Sequence, residues 1–258
     1  MMTRRPFSLL SATLCGLALG ASVLLAGCGG GGGSSSNGNS GGNGGGTSLA
    51  AGRYQGAYVN TSGQYSPASG TLAFTVSSTG AVTATIFNDD GSTGNETGTI
   101  GSDGKLSLRE AGGDGIDGTL SQDSTTHVFS MSYTEPNGTK GVLKVGLAPT
   151  ASPLAGSYSG TATSSGTSGT FPMTLSISSA GAVTGTLGTP VAGNPNSGFN
   201  FVGYVDASGN AYLAYTSGGV PAISLAGLTL NGTSLTGTYN ETSADGSTAT
   251  AVLSLTKQ

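Results

Sequence analysis

The densest group of carboxylates in the chain lies between residues 88 and 96. This segment reads Asn-Asp-Asp-Gly-Ser-Thr-Gly-Asn-Glu, and Asp89, Asp90 and Glu96 are its charged members. Ca²⁺ binds clusters of oxygen ligands, which such side chains supply, so these three residues are candidates for a calcium site. Their spacing departs from that of the EF-hand calcium loop, and Asp, Asn and Gly also dominate ordinary turns. A turn is the preferred interpretation, and we predict no metal and no cofactor.

His127 is the one histidine of the chain, and its side chain type titrates near neutral pH. It has the strand phase of Phe129, Met131 and Tyr133, so it would point into the same interior as these residues. A ligand contact is one hypothesis, and a structural position at a strand end is the simpler one. Catalysis needs a base with an orienting partner, and the sequence shows neither that nor Gly-x-Ser-x-Gly before a helix. We therefore predict that the protein is not an enzyme.

Tyrosine offers a large flat face and a hydroxyl group, which suits the lining of a ligand site. We name five candidate ligand-binding residues: His127, Tyr133, Tyr54, Tyr158 and Tyr239. Further candidates are Tyr58, Tyr204, Tyr212 and Tyr215. For each of them, packing within the core is the simpler interpretation.

The composition excludes several classes of protein. The 258 residues include 48 Gly, and only 8% are charged. With 8 Lys and Arg against 12 Asp and Glu, the chain has no basic surface for nucleic acid. One His and two Cys do not suffice for a zinc site or an iron–sulfur cluster. The scarcity of charge also argues against amphipathic helices.

The N-terminus has the features of a processed targeting segment. Arg4 and Arg5 precede an uncharged stretch over residues 7–27, and Leu25-Ala26-Gly27-Cys28 ends it. This order resembles the lipobox signal peptide of bacterial lipoproteins, and the resemblance implies removal of residues 1–27 and lipidation of Cys28 with diacylglycerol and palmitate-type acyl chains. Gly29 in place of Asp implies the outer membrane by the same resemblance. An uncleaved membrane helix is the alternative, since the apolar stretch approaches the length that spans a bilayer.

The resemblance places the protein in the cell envelope, held in the outer membrane by its N-terminal lipid. The periplasmic face and the cell surface both remain open as locations. Residues 28–49 form a linker rich in Gly, Ser and Asn, which has too little apolar surface to fold and is predicted to be a flexible tether. Two repeats follow, over residues 50–149 and 150–258.

The duplication is visible in matched segments that keep their order. Residues 51–56 (AGRYQG) match residues 155–160 (AGSYSG), and residues 77–83 (SSTGAVT) match residues 178–184 (SSAGAVT). Residues 98–108 follow the pattern of residues 203–213. Phe129, Met131 and Tyr133 align with Leu235, Gly237 and Tyr239, and residues 142–145 align with residues 252–255.

Within each repeat, apolar residues alternate with Thr and Ser, as in Leu72, Phe74 and Val76. This period of two, with Gly-containing turns between short segments, predicts antiparallel strands. About eight strands per repeat favour an all-β chain of two tandem antiparallel up-and-down β-barrels, with a sandwich as the alternative. A transmembrane barrel is disfavoured because its strands need about 9–11 residues and an outer apolar band. The start of each repeat, Gly52 to Gly56 and Gly156 to Gly160, loosely resembles lipocalin and avidin barrels, although Trp is absent here.

Two functional hypotheses follow. The first is non-catalytic binding of a small apolar or glycan-like ligand by the barrels. The alternative is a structural or adhesive envelope protein that acts through protein contacts. The predicted partners are the membrane, through the lipid, and either a small ligand or an envelope protein.

Substitution Cys28→Ser tests the anchor, because the serine hydroxyl does not replace the thiol in the lipidation reaction that the lipobox implies. We expect metabolic labelling of the protein with palmitate to be lost. Labelling that persists in this variant would contradict the lipobox interpretation.

Overall fold

The structure is a computed structural model that describes residues 49–63, 68–164, 169–188, 198–217, 222–245 and 247–258. The predicted signal peptide, Cys28 and all of the predicted linker except Leu49 lie outside these ranges. Within them, no helix has the length and apolar character needed to cross a membrane. The described residues belong to one compact unit.

The first barrel spans residues 52–147. Its strands are β1 (Gly52–Ser62), β2 (Ala68–Val76), β3 (Ala81–Asn88), β4 (Thr93–Ile100), β5 (Lys105–Arg109), β6 (Asp117–Thr119), β7 (Ser121–Gln122), β8 (Phe129–Thr134) and β9 (Lys140–Leu147). Strands β1 to β6 pair in chain order, and β1 pairs with β9. Strand β6 pairs with β8 and closes the sheet, while β7 also pairs with β8. The sixth strand of the predicted eight is therefore interrupted at Leu120.

The second barrel spans residues 156–257. Its strands are β10 (Gly156–Ser164), β11 (Thr170–Ile177), β12 (Ala182–Gly188), β13 (Gly198–Val205), β14 (Asn210–Ser217), β15 (Ala222–Asn231), β16 (Ser234–Ser243) and β17 (Thr248–Lys257). All eight pair antiparallel in chain order, and β10 pairs with β17. The predicted fold of two tandem eight-stranded up-and-down barrels is confirmed, and the closed sheets exclude the sandwich.

The alternation of apolar residues with Thr and Ser in the sequence corresponds to an alternation of buried and exposed positions along the strands. On β2, Leu72, Phe74 and Val76 are buried, whereas Thr75 between them is exposed. On β11, Met173, Leu175 and Ile177 are buried in the same way. Each barrel thus has an apolar interior and a Thr-rich outer surface, which accounts for the low content of charged residues.

The two repeats use the same turn between their second and third strands. Gly80 has φ +80° and Gly181 has φ +83°, a region that favours glycine. The Gly80 N–H donates to Ser77 O at 3.1 Å, and the Gly181 N–H donates to Ser178 O at 3.0 Å. The duplicated SSTG and SSAG segments therefore encode one turn structure.

Glycines inside two strands permit close strand approach. A Cβ at Gly98 of β4 would lie 1.8 Å from the carbonyl oxygen of Ser107. A Cβ at Gly203 of β13, the matched position, would lie 2.0 Å from the carbonyl oxygen of Tyr212. A side chain at either position would push the paired strands apart, so glycine is required for the tight coiling of these small barrels.

A matched tyrosine closes one end of each barrel. The Tyr54 hydroxyl donates to Ala50 O at 3.0 Å, and the Tyr158 hydroxyl donates to Leu154 O at 2.6 Å. Each bond ties the segment that enters the barrel across its end. Leu49 and Leu154 are both 5% exposed. Leu49 belongs to the interior core of the first barrel, and Leu154 belongs to that of the second.

The barrels also pack against each other through their outer faces. A separate buried apolar cluster lies there, formed by Ala57, Val59, Val128, Tyr212, Ala214, Ile223 and Ala244. Its members on β1, β14 and β15 point away from their own barrel interiors. The hydrophobic effect therefore joins the two repeats as well as filling each one.

A buried carboxylate organises the polar side of this contact. Asp206 is 2% exposed and accepts hydrogen bonds from the Tyr212 hydroxyl at 2.6 Å and from the Asn210 N–H at 2.9 Å. The Asn210 side chain also donates to Thr126 O of the first barrel at 2.9 Å. From the first barrel, the Gln55 side chain donates to Val205 O of the second barrel at 2.7 Å. Paired polar groups thus fix the relative position of the barrels.

Substitution Ile223→Ala tests the contact between the barrels, because Ile223 is 2% exposed although it faces outward from its own barrel. We expect a loss of about 2–4 kcal/mol in unfolding free energy, as for a core residue. Val252→Ala is the matched control, since Val252 is 56% exposed, and it should cost less than about 1 kcal/mol. Urea unfolding measures both, and equal effects would contradict a buried contact.

Candidate functional site

The second barrel contains a cavity of about 300 Å³ at the end opposite Tyr158. Eight-stranded barrels have room for one small ligand when side chains leave part of the interior unfilled. The cavity is lined by Ala162, Ser164, Phe171, Met173, Leu187, Phe199, Phe201, Leu213, Tyr215, Tyr239, Glu241, Ser243, Ala249, Thr250, Ala251 and Leu253. Most of this lining is apolar, and Glu241 is its one charged residue.

A difference in side-chain size between the repeats explains why the second barrel has this space. Tyr58 follows Gly56 by two residues on β1, and Ala162 follows Gly160 by two residues on β10. In the first barrel, the Tyr58 ring occupies the interior and its hydroxyl donates to the Asn88 side chain. In the second barrel, the Ala162 methyl group leaves the equivalent volume free beside the cavity.

Glu241 of β16 is held at the cavity by three side-chain donors. Its Oε2 accepts hydrogen bonds from the Tyr239 hydroxyl at 2.6 Å and the Tyr215 hydroxyl at 2.8 Å. Its Oε1 accepts one from the Ser243 hydroxyl at 3.1 Å. Three convergent donors hold the carboxyl group in one position.

The two tyrosines at this carboxylate act as donors throughout the neutral pH range. Burial, with the negative charge of Glu241 as a second cause, raises the pKa of Tyr215 well above its ordinary value. Tyr215 also packs against Phe199, with ring centroids 5.3 Å apart. The site therefore combines a fixed carboxylate with aromatic faces.

A second hollow, of about 280 Å³, lies against β2, β3 and β4 of the first barrel. Its lining includes the outer-face residues Thr75, Thr83, Thr85 and Thr97, which are exposed or half-buried. It is an open depression in the sheet surface whose lining is about equally polar and apolar. The cavity of the second barrel is the better candidate site.

The structure distributes the predicted tyrosines among different roles. Tyr239 lines the cavity of the second barrel. Tyr158 closes the other end of that barrel, and Tyr54 closes the matched end of the first barrel. Tyr133 lies in the first barrel and donates to the Asn60 side chain. Among the further candidates, Tyr215 lines the cavity and Tyr212 is buried between the barrels.

His127 lies in the turn before β8 and is exposed. Its φ of +60° breaks the strand geometry, so the phase that it shares with Phe129 in the sequence does not carry into the structure. Its backbone N–H donates to Asp123 O at 2.9 Å, which belongs to the turn. The histidine therefore does not point into the first barrel, contrary to the orientation expected from the sequence.

The structure separates the three calcium candidates. Asp90 is exposed and accepts hydrogen bonds from the Ser92 N–H at 2.9 Å and the Ser92 hydroxyl at 2.6 Å, as in an ordinary turn. Asp89 is half-buried in the same turn, and Glu96 lies inside the barrel on β4. In the described ranges, no three His, Cys, Asp or Glu side chains lie together as a metal site.

Glu96 has an unusual environment. It is 5% exposed, and among the described residues its Oε2 has no hydrogen-bond partner. Burial, with the negative charges of Glu110 and Glu135 adding to it against the opposing effect of Arg109, raises the pKa of Glu96 to about 7. The carboxyl is therefore partly protonated at neutral pH.

Glu241 is not among the residues predicted from the sequence, although a signal for it exists. Tyr239-Asn240-Glu241 lies on β16, and it corresponds to Tyr133-Thr134-Glu135, in which Glu135 directly follows β8. Both repeats therefore carry a Tyr-x-Glu triplet near the end of this strand. In the first repeat, Glu135 accepts a hydrogen bond from the Asn137 side chain at 2.8 Å. The triplet identifies the position of Glu241 in the sequence, whereas only the fold places the Tyr215 hydroxyl next to its carboxyl group.

Substitution Glu96→Gln should change the dependence of stability on pH. The folded protein holds the Glu96 proton to higher pH than the unfolded chain, whose pKa is near 4.5. Stability is therefore lost as pH rises from about 4.5 to about 7, by up to about 3 kcal/mol. Glutamine does not ionise, so urea unfolding should show the variant gaining relative to the parent between pH 4 and pH 8. A difference that stays constant with pH would contradict the raised pKa.

Comparisons with known proteins add little to this site. No protein-family model matches the chain, and no curated protein matches it. A solved structure of a protein of unknown function from Nostoc punctiforme, described as a member of the DUF3598 family, is 12% identical. The match covers 81% of this chain and 96% of that chain, with a TM-score of 0.27. Nothing about function follows from a likeness of this degree.

Proposed function

We propose that the protein is a lipid-anchored envelope lipoprotein that binds a small apolar ligand, without catalysis, in its second barrel. The lipobox-like segment ending at Cys28 supports the anchor, and the Gly-rich residues 28–49 would let the barrels stand away from the outer membrane. Both barrels lie between Gly52 and Lys257, so residues 29–258 include both of them.

The cavity of about 300 Å³ in the second barrel carries this proposal. Small-molecule sites are concave, mostly apolar and supplied with a few placed polar groups. This cavity has that character, since Met173, Phe201 and Leu253 surround it while Glu241 and Ser243 provide the polar contacts. An interior packed fully by its own side chains would have left no such site.

The lining favours an apolar ligand over a glycan-like one. A sugar needs a hydrogen-bond partner for most of its hydroxyl groups when water is removed. The deep lining, with Phe201, Leu213 and Leu253 each at most 3% exposed, offers aliphatic and aromatic surface instead. Burial of hydrocarbon is therefore the main source of affinity.

Substitution Ala162→Phe tests the cavity by filling it. The matched position of the first repeat carries Tyr58, so an aromatic ring at this position suits the fold. N-phenyl-1-naphthylamine, an uncharged fluorophore that brightens in apolar surroundings, is titrated into the chain 29–258, which has no acyl chains. We expect saturable binding to the parent and at least about tenfold weaker binding to the variant.

Ala81→Phe is the control, because Ala81 is exposed on the first barrel and lies away from the cavity. It should bind the fluorophore as the parent does. Equal binding by all three proteins, or no binding by the parent, would contradict the proposed ligand site.

A further inference from the structure

We propose that the ligand of the second barrel is an apolar amine, whose ammonium group pairs with Glu241 while its hydrocarbon part fills the cavity. This inference rests on the proposed function and adds the charge of the ligand to it. Three observations support it: the position of the carboxylate, the lack of a cation near it in its barrel, and the aromatic rings beside it.

Glu241 is fixed as an acceptor that faces the ligand space. An ionised carboxylate has about four lone-pair positions, and the three donors Tyr215, Tyr239 and Ser243 use three of them. These donors carry no charge, so they orient the carboxylate and leave its negative charge uncompensated. The remaining lone-pair position of Glu241 can accept a hydrogen bond from a donor on a ligand in the cavity.

The second barrel offers no cation to neutralise this carboxylate. From residue 145 to residue 256 the sequence contains no Lys, Arg or His. Lys257 is eight residues from Ala249, the β17 partner of Glu241, which places it about 26 Å away along the strand. Its Nζ donates to Ala155 O at the closed end. The ion pair of Arg109 with Asp117, the one found in the described part of the chain, belongs to the first barrel.

A charge in such a setting selects a ligand of opposite charge. Removal of water from the cavity makes an unpaired carboxylate costly, and an ammonium group on the ligand relieves that cost through a charge-assisted hydrogen bond. The faces of Tyr215, Tyr239 and Phe199 add favourable electrostatic contact for a cation. A carboxylate ligand would instead place two like charges together.

Three ligands of one chain length separate the effect of charge from that of hydrocarbon burial: octylamine, 1-octanol and octanoate. Each is titrated against bound N-phenyl-1-naphthylamine in the chain 29–258 at pH 7. For the parent, we expect octylamine to compete about 10- to 100-fold more strongly than 1-octanol, and octanoate to compete least.

Glu241→Gln removes the charge and keeps the shape. The advantage of octylamine over 1-octanol, taken as the ratio of their affinities within the variant, should disappear. A far-UV circular dichroism spectrum of strand type, as in the parent, shows that the variant is folded. Asp245→Asn removes one negative charge from the exposed turn after β16, and it should keep the preference for octylamine.

Three results would overturn the proposal. If octylamine and 1-octanol compete equally for the parent, the cavity has no preference for a charged ligand. The proposed apolar site would remain, but the proposal that its ligand is an amine would be wrong. Loss of the octylamine preference in Asp245→Asn as well would show general attraction by net charge. Failure of the parent to bind the fluorophore removes the proposed function itself, a result distinct from the other two.

Discussion

The interior volume of an eight-stranded barrel is the constraint on which the rest of this structure depends. Strand number and tilt set that volume, and closure pairs the backbone of every strand, so side chains alone decide how much space remains. In the first barrel, Tyr58 occupies the interior, whereas Ala162 stands at the matched position of the second. One difference in size between duplicated positions therefore leaves room for the cavity of the second barrel.

Because the chain has few charged residues, its interior carboxylates have a large effect on the electrostatics of the barrels. Only 8% of the residues are charged, and the outer faces of the strands are covered mainly by Thr and Ser. Glu96 lies in the first barrel with one oxygen unpartnered, and its environment favours the protonated form. Glu241 lies in the second barrel, where three hydroxyl groups donate to it. The two repeats thus place carboxyl groups in different hydrogen-bonding environments.

The contact between the barrels leaves the cavity free. It uses outer-face residues such as Ala57 and Ile223, together with Asp206 in the turn between β13 and β14. That turn lies at the closed end of the second barrel, whereas Glu241 on β16 lies toward the other end. The duplication therefore yields one joined body, and the candidate site lies in its second barrel.

The sequence by itself determined the strands, the turns, the duplication and the all-β class, because these depend on local alternation and on glycine positions such as Gly80 and Gly181. It favoured barrels and left a sandwich as the alternative. It also predicted Tyr239 as a site residue. It did not reveal the interruption at Leu120, the exposed position of His127 or the partnership of Glu241 with Tyr215. These features depend on which residues meet across strands far apart in the chain. Register and closure decide those meetings, and only the tertiary structure fixes them.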